Sequence, residues 1–190
     1  MDADGLTFAV AMGVEERIAR RFGPTVRIGL GASQGVPAEG RLVSFGVAGA
    51  LAPDLEISTL IDATRVVDEQ GNVLWEGEPL GAAGARRGTI VGASRIVDDP
   101  AERARLRDAT GADAVDMESG VIARTGRLAG CLRVISDTPG RELAGLAHGI
   151  KLNGDPDYIG LLRGFVREPR GTARAARDAR RALKRLESVA

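Results

Sequence analysis

The sequence predicts a three-layer α/β/α sandwich on a mixed, largely parallel central sheet. Three observations carry this. Short β-like runs alternate with helical ones along most of the chain, the pattern of an α/β domain. Glycine is abundant, 26 in 190 residues, which suits tight turns and close backbone approaches better than a helical bundle. Aromatics are only 3% against 44% apolar residues, so the core must come from Ala, Val, Leu and Ile. With no internal repeat or low-complexity linker, residues 1–190 read as a single domain.

The elements follow in order. Leu6–Met12 (LTFAVAM) is the first strand and Glu15–Phe22 the first helix. Val26–Leu30 and Arg41–Phe45 are further strands, the second ending in the glycine-rich turn Gly46-Val47-Ala48-Gly49. Thr59–Val67, Thr89–Gly92, Asp113–Val115 and Leu132–Ser136 complete the strand candidates, and Leu80–Gly88 reads as the mobile loop. A helix over Asp99–Ala109 opens with an Asp-Pro start signal and runs on Glu and Arg. Helices are also predicted over Glu118–Ala129 and Tyr158–Arg167. The last helix covers 170–189, started by Pro169 and Gly171, with Ala176, Ala179, Leu183 and Leu186 at spacings of three and four. Arg170, Arg174, Arg177, Arg181 and Lys184 populate its other side.

Charge and cysteine content exclude several classes. Lys plus Arg equals Asp plus Glu at 26 each, which removes a globally basic nucleic-acid binder. The balance hides a split: residues 163–190 carry nine basic residues against three acids, so the tail is basic and the body acidic. Cys131 and His148 are each the single residue of their type, leaving no disulfide framework, thiolate cluster or paired-His metal site, and no metal is expected. The N-terminus lacks a basic, then apolar, leader, and no run of 18 apolar residues occurs, so the expected compartment is the cytoplasm.

In α/β sheets the binding crevice lies beyond the carboxyl ends of the strands. There the predicted strands place Glu15, Glu118 and Asp137 together with the Gly46–Gly49 segment. Each acid has an ordinary explanation: Glu15 and Glu118 as first-turn helix acids, Asp137 as a cap. Their convergence points to a ligand site. The pattern Gly29-Leu-Gly31-Ala-Ser-Gln-Gly35 is not a dinucleotide fingerprint, because no helix follows it to receive a pyrophosphate.

Three ordered motifs, Val43-Ser-Phe-Gly-Val-Ala-Gly-Ala-Leu51, Ala114-Val-Asp-Met-Glu-Ser119 and Arg133-Val-Ile-Ser-Asp137, resemble the purine nucleoside phosphorylase/nucleosidase superfamily over roughly residues 7–140. Ala11-Met12-Gly-Val-Glu15 looks like the N-terminal segment of the methylthioadenosine/S-adenosylhomocysteine nucleosidases. The basic tail and Arg177-Asp-Ala-Arg-Arg-Ala-Leu183 look more like the hopanoid-associated nucleoside phosphorylases. The resemblance implies cleavage of the N-glycosidic bond of an adenine or other purine nucleoside, an adenosyl-hopanoid among the candidates. Asp137 would protonate N7 of the base directly or through Ser136, and Glu118 would accept the ribose hydroxyls. Met117 would pack on the sugar, Glu15 would position water or help seat phosphate, and Gly46, Val47, Ala48 and Gly49 would let backbone approach the sugar.

The chain departs from that pattern in places. Val47 stands where the nucleosidases usually carry Ser, and Arg95, beside Ile96, where they often stack an aromatic on the base. Only ten residues separate Leu30 from Arg41, and region 76–88 is also short, so this is a minimal form of the fold. No cofactor is implied beyond phosphate as a candidate co-substrate, for which Arg17, Arg20 or Arg41 could supply charge. A homodimer or higher oligomer is expected, as is weak membrane contact through the basic tail. A non-catalytic nucleoside-binding module is the alternative from another class.

Overall fold

The computed structural model describes residues 5–140, 151, 153–155, 157 and 169–189. Among these, eight strands and four helices follow in the order β1 (Leu6–Val10), α1 (Gly13–Ala19), β2 (Thr25–Arg27), β3 (Arg41–Ala50), β4 (Leu60–Val67), β5 (Val73–Glu76), β6 (Arg86–Gly92), α2 (Pro100–Thr110), β7 (Ala114–Asp116), α3 (Ser119–Arg124), β8 (Leu128–Asp137) and α4 (Pro169–Glu187). The mixed sheet is mostly parallel, as the alternation of strands and helices predicts. β1 pairs parallel with β2 and β3, β3 with β8, and β6 with both β4 and β7. β4 is antiparallel to β5 and β8, and β7 is antiparallel to the end of β3.

These pairings return to their starting point. β3, β8, β4, β6 and β7 close a ring, with β1 and β2 extending from β3 and β5 from β4. Alternation along the strands divides the core. Phe8, Val10, Val43, Phe45, Leu132 and Val134 pack with Ile18 and Ala19 of α1 and Ala182 and Leu186 of α4. Ala9, Leu42, Ala48, Cys131 and Ile135 point the other way, onto Ile122 and Ala123 of α3. The small residues expected of the core dominate it, and three of the four phenylalanines gather in one cluster, with Phe8 edge-on to Phe45 at 5.5 Å.

Several boundaries differ from expectation, each for a local reason. The run from Gly46 to Gly49 is no turn: β3 continues to Ala50, and its backbone stays paired with β8 throughout. The helix predicted over 118–129 ends at Arg124, because Leu128 and Ala129 already belong to β8. The predicted Val26–Leu30 strand is Thr25–Arg27, and Leu30–Ala32 forms a single 3-10 turn with no helix behind it. β5, the strand VLWE, was not anticipated. Leu80–Gly88 is anchored rather than loose, since the buried Asp62 carboxylate accepts the N–H groups of Leu80 (2.9 Å), Gly81 (2.8 Å) and Ala82 (3.1 Å), and Arg86–Gly88 are strand.

α2 follows its start signal: Asp99 caps the Glu102 N–H at 2.7 Å, Pro100 opens the helix, and Gly111 closes it in the left-handed region at φ 67°. In α4 the buried face runs through Thr172, Ala175, Asp178, Ala182 and Leu186. It is rotated from the predicted stripe, leaving Ala176 exposed and Ala179 and Leu183 half-buried. The predicted helix over 158–167 and His148 lie outside the described residues.

Candidate active site

Two glycines of β3 shape the site. In the β3–β8 register Gly46 lies beside Arg133, and Gly49 beside Asp137. A Cβ on Gly46 would collide with the Glu15 carboxylate and lie 2.7 Å from Arg133 Nη1. One on Gly49 would lie 2.9 Å from Asp137 Oδ2 and 3.3 Å from Arg103 Nη2. Each missing side chain therefore leaves a recess filled by a carboxylate and an arginine. The recesses stand three residues apart, roughly 10 Å along an extended strand.

The first recess is a negatively charged cluster around one cation. β1 stops at Val10 and the chain turns at Met12 into α1, which puts Glu15 in the first helical turn. From there its Oε2 accepts the N–H groups of Ala11 (3.1 Å) and Met12 (2.9 Å), and its Oε1 that of Val47 on β3 (2.9 Å). Glu15 is thus the first-turn acid of α1 that the sequence suggests, and the same carboxylate also reaches across to β3. Glu118, at the start of α3, accepts the Gly31 N–H at 2.9 Å and lies 3.4 Å from Arg133 Nη2. Arg133 is 1% exposed, pairs with Asp116 at 2.7 Å and donates to Ser44 Oγ at 2.5 Å and to the Val47 carbonyl at 3.3 Å. Ser119 Oγ donates to Asp116 and approaches Ser44 Oγ at 3.0 Å.

Burial raises the Glu15 pKa, opposed by the Arg133 charge and the three N–H donors. Glu118 is pushed up from 4.5 to about 7, by burial first and then by the charges of Asp116 and Glu15, with Arg133 opposing. Burial works against the Arg133 charge, but Asp116, Glu118 and Glu15 outweigh it and hold the guanidinium charged.

In the second recess the ratio is one to one. Asp137, the last residue of β8, is 5% exposed and ion-paired with Arg103 of α2, itself 1% exposed. Ser136 Oγ donates to Asp137 Oδ1 at 2.8 Å. Burial raises the Asp137 pKa, while Arg103 and Ser136 pull it down. Arg103 Nε donates to the Val97 carbonyl at 2.9 Å, and its Nη1 is buried with no hydrogen-bond partner among the described residues.

Both recesses open on one cavity of about 680 Å³. Met117, Val47, Ala48, Gly49, Ser136, Arg95 and Ile96 line it together with Glu15, Glu118 and Asp137. Gly46 does not; it lies behind the wall, under Glu15. Arg95 is exposed at the rim and paired with Glu102, with Arg95 Nη1 3.1 Å from Glu102 Oε2. Of the three arginines expected to supply charge for phosphate, Arg17 lines the cavity. Arg20 is instead paired with Glu16 on its own helix, and Arg41 begins β3, at the far end from the site. Ala176, Ala179, Arg180 and Leu183 of α4 form a further wall.

Sequence reasoning missed Arg133, Asp116, Arg103 and the α4 wall. Arg133 carried a signal, an arginine inside the apolar run of a strand, where only buried partners tolerate it. Arg103 carried none, since it is one of several arginines in a helix of alternating charge.

The profile of the phosphorylase superfamily matches residues 78–149, a little over a third of the chain, and takes in two of the three motifs. No curated protein matches by sequence. Among solved structures, a Helicobacter pylori nucleosidase mutant with 5'-methylthioadenosine in its active site is 19% identical, with a TM-score of 0.59 over 97% of each chain. The Neisseria meningitidis 5'-methylthioadenosine/S-adenosylhomocysteine nucleosidase with methylthio-immucillin-A is 17% identical, with a TM-score of 0.57 over 96% of this chain and 98% of that one. Futalosine hydrolase of Helicobacter pylori is 16% identical, with a TM-score of 0.52 over 92% and 96%. The nucleosidase fold extends over nearly the whole chain, although Leu30 and Arg41 are joined without a helix.

Proposed function

We propose that the protein cleaves the N-glycosidic bond of a purine nucleoside, an adenine nucleoside among the candidates, by hydrolysis. The observation that carries this is the pair of recesses: one buried carboxyl at one end of a single cavity, and three, Glu15, Asp116 and Glu118, at the other. Asp137, its pKa raised by burial, gives its proton to N7 as the bond from C1' to N9 breaks and the electron pair passes to the base. Glu118 accepts the ribose hydroxyls through a carboxylate with two acceptor oxygens, and Met117 packs on the sugar. Glu15, oriented by three backbone donors, holds the water that adds to the oxocarbenium-like C1'.

Water is favoured over phosphate by charge. Around the nucleophile end Glu15, Glu118 and Asp116 share a single arginine, and that arginine is already paired. A phosphate dianion would enter a recess where three acids share one buried arginine, while the other cavity arginines, Arg17 and Arg180, stand exposed on the α1 and α4 walls. The test is release of free base from purine ribosides with and without phosphate: hydrolysis predicts equal rates, and a strict phosphate requirement would overturn it. No release from any purine riboside would leave the non-catalytic binding module as the reading.

Two finer elements belong to the same proposal. The protein pairs as a homodimer or higher oligomer in the cytoplasm, which light scattering tests. α4 contacts anionic membrane reversibly, as access to an adenosyl-hopanoid would need; this is supported by the exposed row Arg170, Arg174, Arg177, Arg181 and Lys184. No helix among the described residues is long and apolar enough to cross a membrane.

A further inference from the structure

We infer that Asp116 is a positioning residue for the sugar: it holds the Arg133 guanidinium so that Glu118, beside the same cation, keeps an oxygen for the ribose. This rests on the reading in which Glu118 meets the ribose hydroxyls. Asp116 acts from behind the wall, since its side chain is 1% exposed and reaches no ligand itself.

The two carboxylates are held differently. Asp116 Oδ2 lies 2.7 Å from Arg133 Nη2 and also accepts from the Ser119 hydroxyl, while Oδ1 accepts the Ser119 N–H at 3.1 Å. Both of its oxygens are committed. Glu118 Oε1 accepts the Gly31 N–H at 2.9 Å, but Oε2 has, among the described residues, the Arg133 contact at 3.4 Å and no shorter one. That is longer than an ordinary N–H···O bond, so a hydroxyl can replace it at little loss. From β3, Ser44 Oγ at 2.5 Å and the Val47 carbonyl at 3.3 Å steady the guanidinium.

Two acids beside one cation compete for it, and the nearer takes the larger share. With Asp116 in place, burial and the Asp116 and Glu15 charges hold Glu118 up at about 7 against the pull of Arg133. Without the Asp116 charge, Arg133 turns to Glu118 and ties up the oxygen that the ribose needs. The other groups around the pair, among the described residues, do not take over. Glu15 of α1 is held by three backbone N–H groups. Cys131 of β8, 3.1 Å from Ser119 Oγ, has its thiol pushed up by burial to about 12, and β3 brings the neutral Ser44. Asp116 is also an acceptor for the first N–H of α3, a cap that Asn or Ser supplies as well, so its charge can be separated from its cap.

The experiment follows KM and kcat against pH in the wild type, Asp116→Asn and Asp116→Ser, with denaturant unfolding to establish that each variant folds. The substrates are whichever of adenosine, inosine and guanosine is cleaved fastest, and its 2'-deoxy form. The fall in riboside KM, centred near pH 7 in the wild type, should move down by about one unit or more in both variants. Above it, riboside KM should be about threefold or more higher than in the wild type, with kcat and the 2'-deoxy substrate affected less. If one variant does not fold, the other decides. An unshifted or raised midpoint in a folded variant would overturn the inference, reduce Asp116 to a helix cap and leave Glu118 on the ribose. A wild-type riboside KM that is flat through neutrality, or no release of base, would overturn both.

Discussion

The two recesses beneath the cavity are made of the same parts in different proportions. Beside Gly49 one arginine answers one carboxyl group; beside Gly46 one arginine answers Asp116, Glu118 and Glu15. Where the charges balance, geometry is locked, and Asp137 is held at both oxygens. Where acids outnumber the base, Asp116 at 2.7 Å and Glu118 at 3.4 Å compete for the shared cation, with the Glu15 charge beside them, and a proton becomes the cheapest way to settle the excess. The first arrangement fixes a carboxyl group in place; the second makes a cluster whose charge changes near neutrality. The difference teaches that burial alone does not set the role of an acid. Burial raises all three acids, and the cations and acids beside each tune what burial begins.

The comparison breaks most visibly at Asp137. Asp137→Asn should lower kcat at least a hundredfold while substrate binding survives, since positioned acid catalysis is worth about 10²–10⁴-fold. Steady-state turnover near that of the wild type would remove the proton-donor role. Gly46→Ala tests the other recess without touching a charge. The added methyl must displace Glu15 or Arg133, and should cost tenfold or more in kcat and about 1–3 kcal/mol in stability, read by denaturant unfolding. A variant as active as the wild type would show that Glu15 does not need its present place.

Glu118→Gln sharpens the contrast in proportions. It should raise KM for ribosides about tenfold or more while 2'-deoxy substrates lose little, because a charge-assisted hydrogen bond to the hydroxyls is replaced by a neutral one. In the wild type, KM should fall as pH rises through about 7 and Glu118 ionises. A flat KM profile between pH 6 and pH 8, to take roughly one unit either side of that value, would separate Glu118 from substrate binding.

Stability follows with its own sign. The native Glu118 pKa of about 7 lies above the ordinary 4.5, so between those values the folded protein holds a proton that the unfolded chain has released. Its contribution is complete below about 4.5 and is lost as pH rises through about 7, a change of roughly 3 kcal/mol. Thermal unfolding should show this decline in the wild type and a shallower one in Glu118→Gln. The smallest expected effect is at α4: truncation after Glu168 should abolish low-salt binding to anionic vesicles. Equal binding to neutral and anionic lipid would reduce that helix to packing and to its wall of the cavity.

How much of this was legible in the sequence follows from range. The fold class and the three acids could be read because strand alternation, caps and motif order are local or ordered along the chain. Asp99-Pro100 announced α2 because a cap acts within one turn. What could not be read were partners set by crossing strands. Arg103 meets Asp137 only because α2 packs beside the end of β8, and nothing in a helix of alternating Glu and Arg marks the one residue that turns inward. The Gly46–Gly49 run read as a turn because glycine usually marks one. Here glycine is needed because side chains from neighbouring elements occupy the space over a continuous strand. The face of α4 was misjudged because an alanine-rich helix gives weak contrast between its sides.

The closed ring has a consequence for how the molecule comes to exist. β3 and β8 pair across a sequence separation of 87 residues, as between Gly46 and Arg133, and β8 is the strand that joins β3 to β4. A growing chain that has reached only Arg127 therefore carries two long strands with open edges, exposed to pairing with other chains. Contacts of such long range make for slow closure. Asp137 is the last residue of the closing strand, so the recess beside Gly49 is completed only with the final stave, and no partly folded form has both recesses.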